Sequence, residues 1–123
     1  MRYNVDVVRI RENSITLNGW AIGKTPEETA EFSIEDASRK PVTFKYVPTR
    51  RDDVSQIYFK KVIDKDFGFD IRFDYERGQD YYLVIRCDGR KVRIKYNEEL
   101  IAKRTSVAYK RRQKIKDLMN MET

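Results

Sequence analysis

Two arginines stand directly before two aspartates, in the run Arg50-Arg51-Asp52-Asp53. Guanidinium groups bind carboxylates and phosphates through paired hydrogen bonds, so these arginines could hold an anionic ligand. In the competing interpretation they tie the loop to its own acids, and Asp52 or Asp53 caps the helix that follows. The adjacent carboxylates favour the internal tie. Arg50, Arg51 and Asp53 are the candidate ligand-binding residues of this run.

The only tryptophan, Trp20, lies in Gly19-Trp20-Ala21, within an otherwise aliphatic segment. An indole on a sheet face could stack on a sugar ring or a base, whereas a buried indole would be a large core aromatic. The core interpretation is favoured. Trp20 is the fourth candidate for ligand binding.

The side chains that most enzymes use are missing from this chain. It has no histidine and a single cysteine, Cys87, and its five glycines form no phosphate-binding pattern. Asp52-Asp53, or Asp64 with Asp66, could act as acid and base, but solvated loop carboxylates are the favoured interpretation. Cys87 falls in a predicted strand, where we expect a buried, unreactive thiol. We therefore expect no enzyme activity, no metal and no cofactor.

Positive charge is concentrated at the end of the sequence. The net charge is +6, yet residues 1–89 hold 15 basic and 16 acidic side chains, whereas residues 90–123 hold 11 and 4. Three interpretations stay open for the tail: a solvated helix between domains, which is favoured, an arm on anionic lipid, or a nucleic-acid arm. The candidate contact residues are Lys103, Arg104, Lys110, Arg111 and Arg112.

Alternation of apolar and polar residues predicts a β-rich body. It is clearest at 67–75, 81–87 and 91–96, and Asp88-Gly89 predicts a tight hairpin between the last two. Four more strands are predicted upstream, at 3–10, 14–22, 29–36 and 42–47. A bulge is expected at Val7-Val8, and Val42, Phe44 and Tyr46 are expected to face inward. About seven short strands favour an immunoglobulin-like β-sandwich of the all-β class over a barrel.

Two helices complete the predicted architecture. Helical spacing between residues 49 and 65 indicates a short helix across one end of the sandwich. Asn97, followed by two glutamates, predicts the start of a basic C-terminal helix that runs to about Met119. The predicted division is a β-sandwich domain at 1–97 and a basic linker or tail helix at 98–123.

Four short motifs together resemble a known family. They are Gly19-Trp20-Ala21, Arg51-Asp52-Asp53-Val54, Gly68-Phe69 and the basic exit Lys110-Arg111-Arg112. The chain resembles the N-terminal β-sandwich domain that precedes the catalytic domain in some bacterial family 2 glycosyltransferases, which build rhamnose-containing or related cell-surface polysaccharides. Asp53 is an addition to the tighter arginine-aspartate-valine form of that motif. The catalytic part of the family is absent from this sequence.

The resemblance implies a non-catalytic accessory module that targets or positions the enzyme, or contacts its glycan. The implied partner is the downstream catalytic domain of the same polypeptide, with a glycan and an anionic membrane surface as further candidates. Nucleic acid ranks below these. The alternative function is a nucleic-acid-binding or protein-interaction domain that acts through its basic C-terminal helix. No apolar run has the length of a membrane span, so the expected location is cytoplasmic. The resemblance further implies a place at the inner face of the plasma membrane.

Overall fold

The computed structural model describes residues 1–104. They form eight strands and two short helices. The strands are β1 (Arg2–Arg11), β2 (Ser14–Ile22), β3 (Glu31–Asp36), β4 (Pro41–Val42), β5 (Lys45–Thr49), β6 (Gly68–Asp74), β7 (Tyr81–Cys87) and β8 (Arg90–Tyr96). The helices are α1 (Asp52–Phe59), between β5 and β6, and α2 (Glu98–Arg104), after β8.

The strands form two antiparallel sheets of four strands each. Sheet A has the order β1-β2-β6-β5, and sheet B has the order β4-β3-β7-β8. Alternate residues of both sheets point into one shared core, which confirms the predicted all-β, sandwich-like architecture. Burial of these apolar side chains is the main stabilising contribution. The fully buried members are Ile15, Leu17, Ile34, Phe69, Ile71, Leu83 and Ile85.

The prediction of one strand at 42–47 was wrong. Pro41–Val42 pairs with β3 in sheet B, whereas Lys45–Thr49 pairs with β6 in sheet A, so the chain changes sheets between them. In both strands the even-numbered residues face the core. The alternation of apolar and polar residues is therefore unbroken from Val42 to Tyr46 and cannot reveal a change of sheet. Tyr46 contacts Phe32 but stays 44% exposed, because β5 is an edge strand.

The hairpin prediction at Asp88-Gly89 is confirmed. Cys87 pairs with Arg90, and the two loop residues have φ of 49° and 75°, the left-handed values of a type I′ turn. Cys87 itself is buried, as expected. Burial raises the pKa of its thiol, which disfavours the reactive thiolate.

The bulge in β1 lies one residue before its predicted place. The register of β1 against β2 shifts between Val5 and Val7, so Asp6 is the extra residue. A bulge turns side chains away from the regular alternation. Here the bulge places Asp6 within hydrogen-bond distance of Arg51, the residue just before α1.

The two helices differ in how they start. Arg51 occupies the N-cap position of α1 without a side-chain capping bond, so the prediction that Asp52 or Asp53 caps this helix was wrong. Both carboxylates instead accept hydrogen bonds from arginine side chains. In α2 the predicted cap is confirmed, because Leu100 N donates to Asn97 Oδ1 at 2.8 Å. The predicted extension of α2 to Met119 lies outside the described residues.

Helix α2 packs against the sandwich. Ile101 is 5% exposed and belongs to the core between the sheets. In residues 1–104, neither helix has the length and apolar character needed to cross a membrane.

Candidate functional site

Trp20 is buried, but not between the two sheets. Its neighbours Gly19 and Ala21 have the parity that faces the shared core, so the indole lies on the outer face of sheet A, 8% exposed. It belongs to a second apolar cluster with Ile22, Val54 and Phe67. The Trp20 and Tyr58 ring centroids are 5.3 Å apart. The tryptophan therefore fastens α1 to the outside of the sheet.

Gly68 opens a path for Arg51 across the same face. It pairs with Trp20 on one side and with Thr49 on the other. A Cβ at Gly68 would lie 2.1 Å from Thr49 Oγ1 and 2.7 Å from Arg51 Cγ, far inside van der Waals contact. Only a residue without a side chain therefore fits beneath Arg51.

The guanidinium of Arg51 joins two carboxylates from distant parts of the chain. Its Nε and Nη2 donate to the two oxygens of Asp53 at 3.0 and 2.9 Å, and its Nη1 donates to Asp6 Oδ2 at 2.6 Å. Asn4 donates its side-chain amide to the other oxygen of Asp6. We call Asn4, Asp6, Arg51, Asp53 and Gly68 the Arg51 cluster. It ties the start of α1 to the bulge of β1.

The protonation of the cluster follows from these bonds. The hydrogen bonds that Arg51 donates to Asp53 hold the pKa of that carboxyl below its ordinary value and raise the pKa of the guanidinium. Burial opposes both shifts but does not reverse them. Arg51 and Asp53 are therefore both charged at neutral pH.

Arg50 has carboxylate partners of its own. Its Nε lies 2.5 Å from Asp52 Oδ1 and its Nη1 lies 2.6 Å from Asp64 Oδ1. All three side chains are exposed, and water screens ion pairs of this kind, so they contribute little to stability. Both arginines of the run are thus placed as the internal-tie interpretation expects.

An open depression of about 550 Å³ adjoins the Arg51 cluster. Tyr58 lies at its edge, with the guanidinium carbon of Arg2 4.9 Å from the centre of the ring. A molecule entering here would meet the exposed side chains of Arg2, Tyr3 and Asn4, while the indole of Trp20 stays mostly covered. Of the candidate ligand-binding residues, Trp20 lines this depression, and Arg50 and Asp53 do not.

The first two tail candidates make contacts within the fold. Lys103 Nζ lies 3.4 Å from Glu99 Oε1 on the same helix. Arg104 Nη2 donates to the main-chain oxygens of Val5 and Asp6, at 2.5 and 3.4 Å. The bulge of β1 thus accepts hydrogen bonds from Arg51 at the carboxylate of Asp6 and from Arg104 at main-chain oxygens. Lys110, Arg111 and Arg112 lie outside the described residues.

Three features were not predicted from the sequence. They are the ion pair of Asp6 with Arg51, the space that Gly68 leaves for the Arg51 side chain, and the hydrogen bond from Arg104 to the bulge. The only available signal was the break in alternation at Val7-Val8, which indicated a bulge but not its partners. Among residues 1–104, no three cysteine or acidic side chains come close enough to hold a metal ion.

The chain matches no protein-family model, no curated protein and no solved structure.

Replacing Arg51 with glutamine should lower the free energy of unfolding by about 1 kcal/mol near neutral pH, because two ion pairs are lost. The folded-state pKa of Asp53 is depressed, so its contribution is present above the unfolded pKa of about 3.9 and is lost as pH falls toward the folded value. Urea unfolding at neutral pH and below about pH 3 should show a smaller acid loss in Arg51→Gln than in the wild type. Arg50→Gln, whose partners are more exposed, is the control, and an equal effect of both changes would contradict the assigned role of Arg51.

Proposed function

We propose that this chain is a non-catalytic accessory module with an immunoglobulin-like fold. It positions the catalytic domain of a bacterial cell-surface polysaccharide glycosyltransferase. The module acts at the inner face of the plasma membrane, and its main partner is the catalytic domain that follows it.

Strand order supports the immunoglobulin-like assignment. Taken in chain order as A, B, C, C′, D, E, F and G, the strands give the sheets A-B-E-D and C′-C-F-G. Tyr81, at the start of the seventh strand, accepts a hydrogen bond at 2.8 Å on its hydroxyl from the backbone N–H of Glu76. This geometry resembles the tyrosine corner of such domains. The tryptophan departs from the usual pattern, since it lies on the second strand and faces outward.

The observation that carries the positioning role is the attachment of α2. Ile101 enters the core between the sheets, and Arg104 bonds to the bulge of β1. Two contacts, one apolar and one polar, fix the direction of α2 relative to the sandwich. Whatever follows α2 therefore starts from a defined position, which is what a positioning module needs.

The enzyme class rests on the resemblance in sequence. Its motif residues Trp20, Arg51 and Gly68 are far apart in the chain but adjacent on the outer face of sheet A. Their adjacency fits a shared structural device that fastens α1, and such a device is a reason for these residues to occur together. The resemblance thus has a physical counterpart in the fold.

The test uses a polypeptide that joins this chain to its catalytic domain. Arg104→Glu, which places a carboxylate against the bulge carbonyls, should reduce synthesis of membrane-borne polysaccharide severalfold. Transfer of sugar to a short free acceptor should change little, because the catalytic site is untouched. Lys103→Glu removes a similar charge at an exposed position and is the control. Equal loss of both activities in Arg104→Glu, or no loss of polymer synthesis, would contradict the positioning role.

The excess of basic residues after position 89 favours nucleic-acid binding as the second candidate. Neutralising phosphates releases counterions, so log affinity should fall with log salt by about 0.9 for each phosphate contacted on a duplex. A steep slope for oligonucleotide binding would support this candidate. Its absence would leave the positioning role unopposed.

A further inference from the structure

A row of cations crosses the outer face of sheet A, away from the Arg51 cluster. Cross-strand pairing aligns Lys45 of β5 with Arg72 of β6, then Thr16 of β2, then Arg9 of β1. Lys45, Arg72 and Arg9 are all exposed. Because neighbouring strands lie about 4.8 Å apart, three positive charges follow one line perpendicular to the strands.

The three cations of this row form no ion pair with a carboxylate of residues 1–104. Arg50, Arg51 and Arg93 each form an ion pair with a carboxylate, whereas within residues 1–104 Lys45, Arg72 and Arg9 form none. Asp70 and Asp74 flank Arg72 two residues away on its own strand, yet neither is ion-paired with it. Like charges directly opposite each other, such as Lys45 and Arg72, destabilise a sheet unless an anion joins them.

The uncharged residues around the row indicate which kind of anion fits. Thr16 lies between Arg72 and Arg9 in the row, and Asn18 lies beside Asp70 in the next outward row, so a hydroxyl and an amide group adjoin the cations. The three outward rows that contain residues 14, 16 and 18 of β2 hold no aromatic side chain. Single-stranded nucleic acids are bound largely by stacking of bases on aromatic rings, and this face offers no such platform. Hydroxyl and amide groups suit the hydroxyls of sugars.

We infer that this face binds a linear polysaccharide that carries carboxylates, lying across the strands of sheet A. Lys45 and Arg72 share one carboxylate, which removes their repulsion, and Arg9 takes another further along the chain. A pyranose unit is about as long as the spacing between strands, so successive units register with successive strands. A depression of about 250 Å³ adjoins the pair and is lined by Thr43, Phe44, Lys45, Arg72, Phe73 and Asp74. The inference rests on the proposed function and specifies the glycan that the module contacts.

The test follows backbone amide NMR shifts of the full chain during titration with a galacturonate oligosaccharide long enough to cross four strands. A site-resolved readout is needed because the basic residues after position 104 attract any polyanion. We expect shifts concentrated in β1, β2, β5 and β6. The double variant Lys45→Gln/Arg72→Gln should weaken binding at this face about tenfold, the loss of one charge-assisted contact pair.

Arg86→Gln/Lys91→Gln is the matched control. It removes two cations that lie directly opposite each other in sheet B. There Glu31 is the residue opposite Arg86 on the neighbouring strand. This control should keep the wild-type affinity, and a neutral maltooligosaccharide of equal length should cause no shifts in sheet A. The inference is overturned by equal weakening in both double variants, by shifts outside sheet A alone, or by tighter binding of oligothymidylate at the same residues.

This test and the test of the proposed function fail independently. Absence of binding here, with the Arg104→Glu result as expected, would remove the polysaccharide site and leave the positioning role. Binding here without an Arg104→Glu effect would do the reverse.

Discussion

Trp20→Ala should lower the free energy of unfolding by about 3 kcal/mol or more, the usual cost of truncating a large buried aromatic residue. The indole is the largest side chain of the cluster that attaches α1 to sheet A, and it is 8% exposed. Its removal leaves a cavity beneath Tyr58 and Val54. Urea unfolding followed by far-ultraviolet circular dichroism measures the effect.

Trp20→Phe is the matched control for this change. It keeps an aromatic ring in the cluster and should cost clearly less than alanine. Hydrogen exchange of α1 should rise in Trp20→Ala and remain close to wild type in Trp20→Phe. A stable Trp20→Ala protein with protected α1 amides would contradict the structural role and would restore the interpretation of Trp20 as a ligand platform.

Gly19→Ala should destabilise the fold by about 3 kcal/mol, at the upper end of the cost of overpacking. A Cβ at Gly19 would lie 2.1 Å from the main-chain oxygen of Asn4 and 2.9 Å from the ring of Phe69. The clash is with the backbone of a paired strand, so rotation of a side chain cannot relieve it. β1 must move away from β2, which would also displace the bulge that receives Arg51 and Arg104.

Gly78→Ala is the control for the same chemical change. No atom lies within 4 Å of a Cβ at Gly78, although its φ of +77° disfavours any side chain. Its cost should be about 1–2 kcal/mol, from backbone strain alone. Equal unfolding midpoints for the two variants in urea would show that the contact between Gly19 and Asn4 is not as close as the structure places it.

Local sequence patterns predicted most of the individual elements. β6 alternates in residue type and in burial, because one of its faces is core and the other is wet. β7 and β8 alternate in residue type, although Val84 on the outward side of β7 is also buried, and Asp88-Gly89 has the residue types that a two-residue hairpin requires. The start of α2 was readable for the same reason, since Asn97 and Leu100 are three residues apart. Signals of this kind depend only on residues near each other in the chain.

The features that escaped prediction depend on distant residues. The face on which Trp20 lies was hidden because Trp20, Ala21 and Ile22 are all buried, so alternation in that part of β2 disappears. Its cause is α1, which covers the outer face around Trp20 and lies more than thirty residues later. The Arg51 cluster is similar, because Asp6 and Arg51 are 45 residues apart and meet only when the sheet has formed.

The pH response of the fold links the cluster to the rest of the molecule. Asn97, as a hydrogen-bond donor, holds the pKa of Asp80 below its ordinary value, and Lys95 adds to this effect. Asp53 lies in the first turn of α1, and Asp80 accepts a hydrogen bond from Asn97, the residue before α2. Both contributions are lost as pH falls below the ordinary aspartate range, so acid weakens the ion pair at the start of α1 and the hydrogen bond at the start of α2 together.

The central claim is that this chain works as one module of a longer glycosyltransferase polypeptide. The most direct measurement is the intact mass of the natural polypeptide that carries this sequence, isolated from its source with an antibody against residues 1–104. The account predicts one species far heavier than the 14.8 kDa of this chain, with peptides of a catalytic domain in the same molecule. A single polypeptide of 14.8 kDa would contradict it.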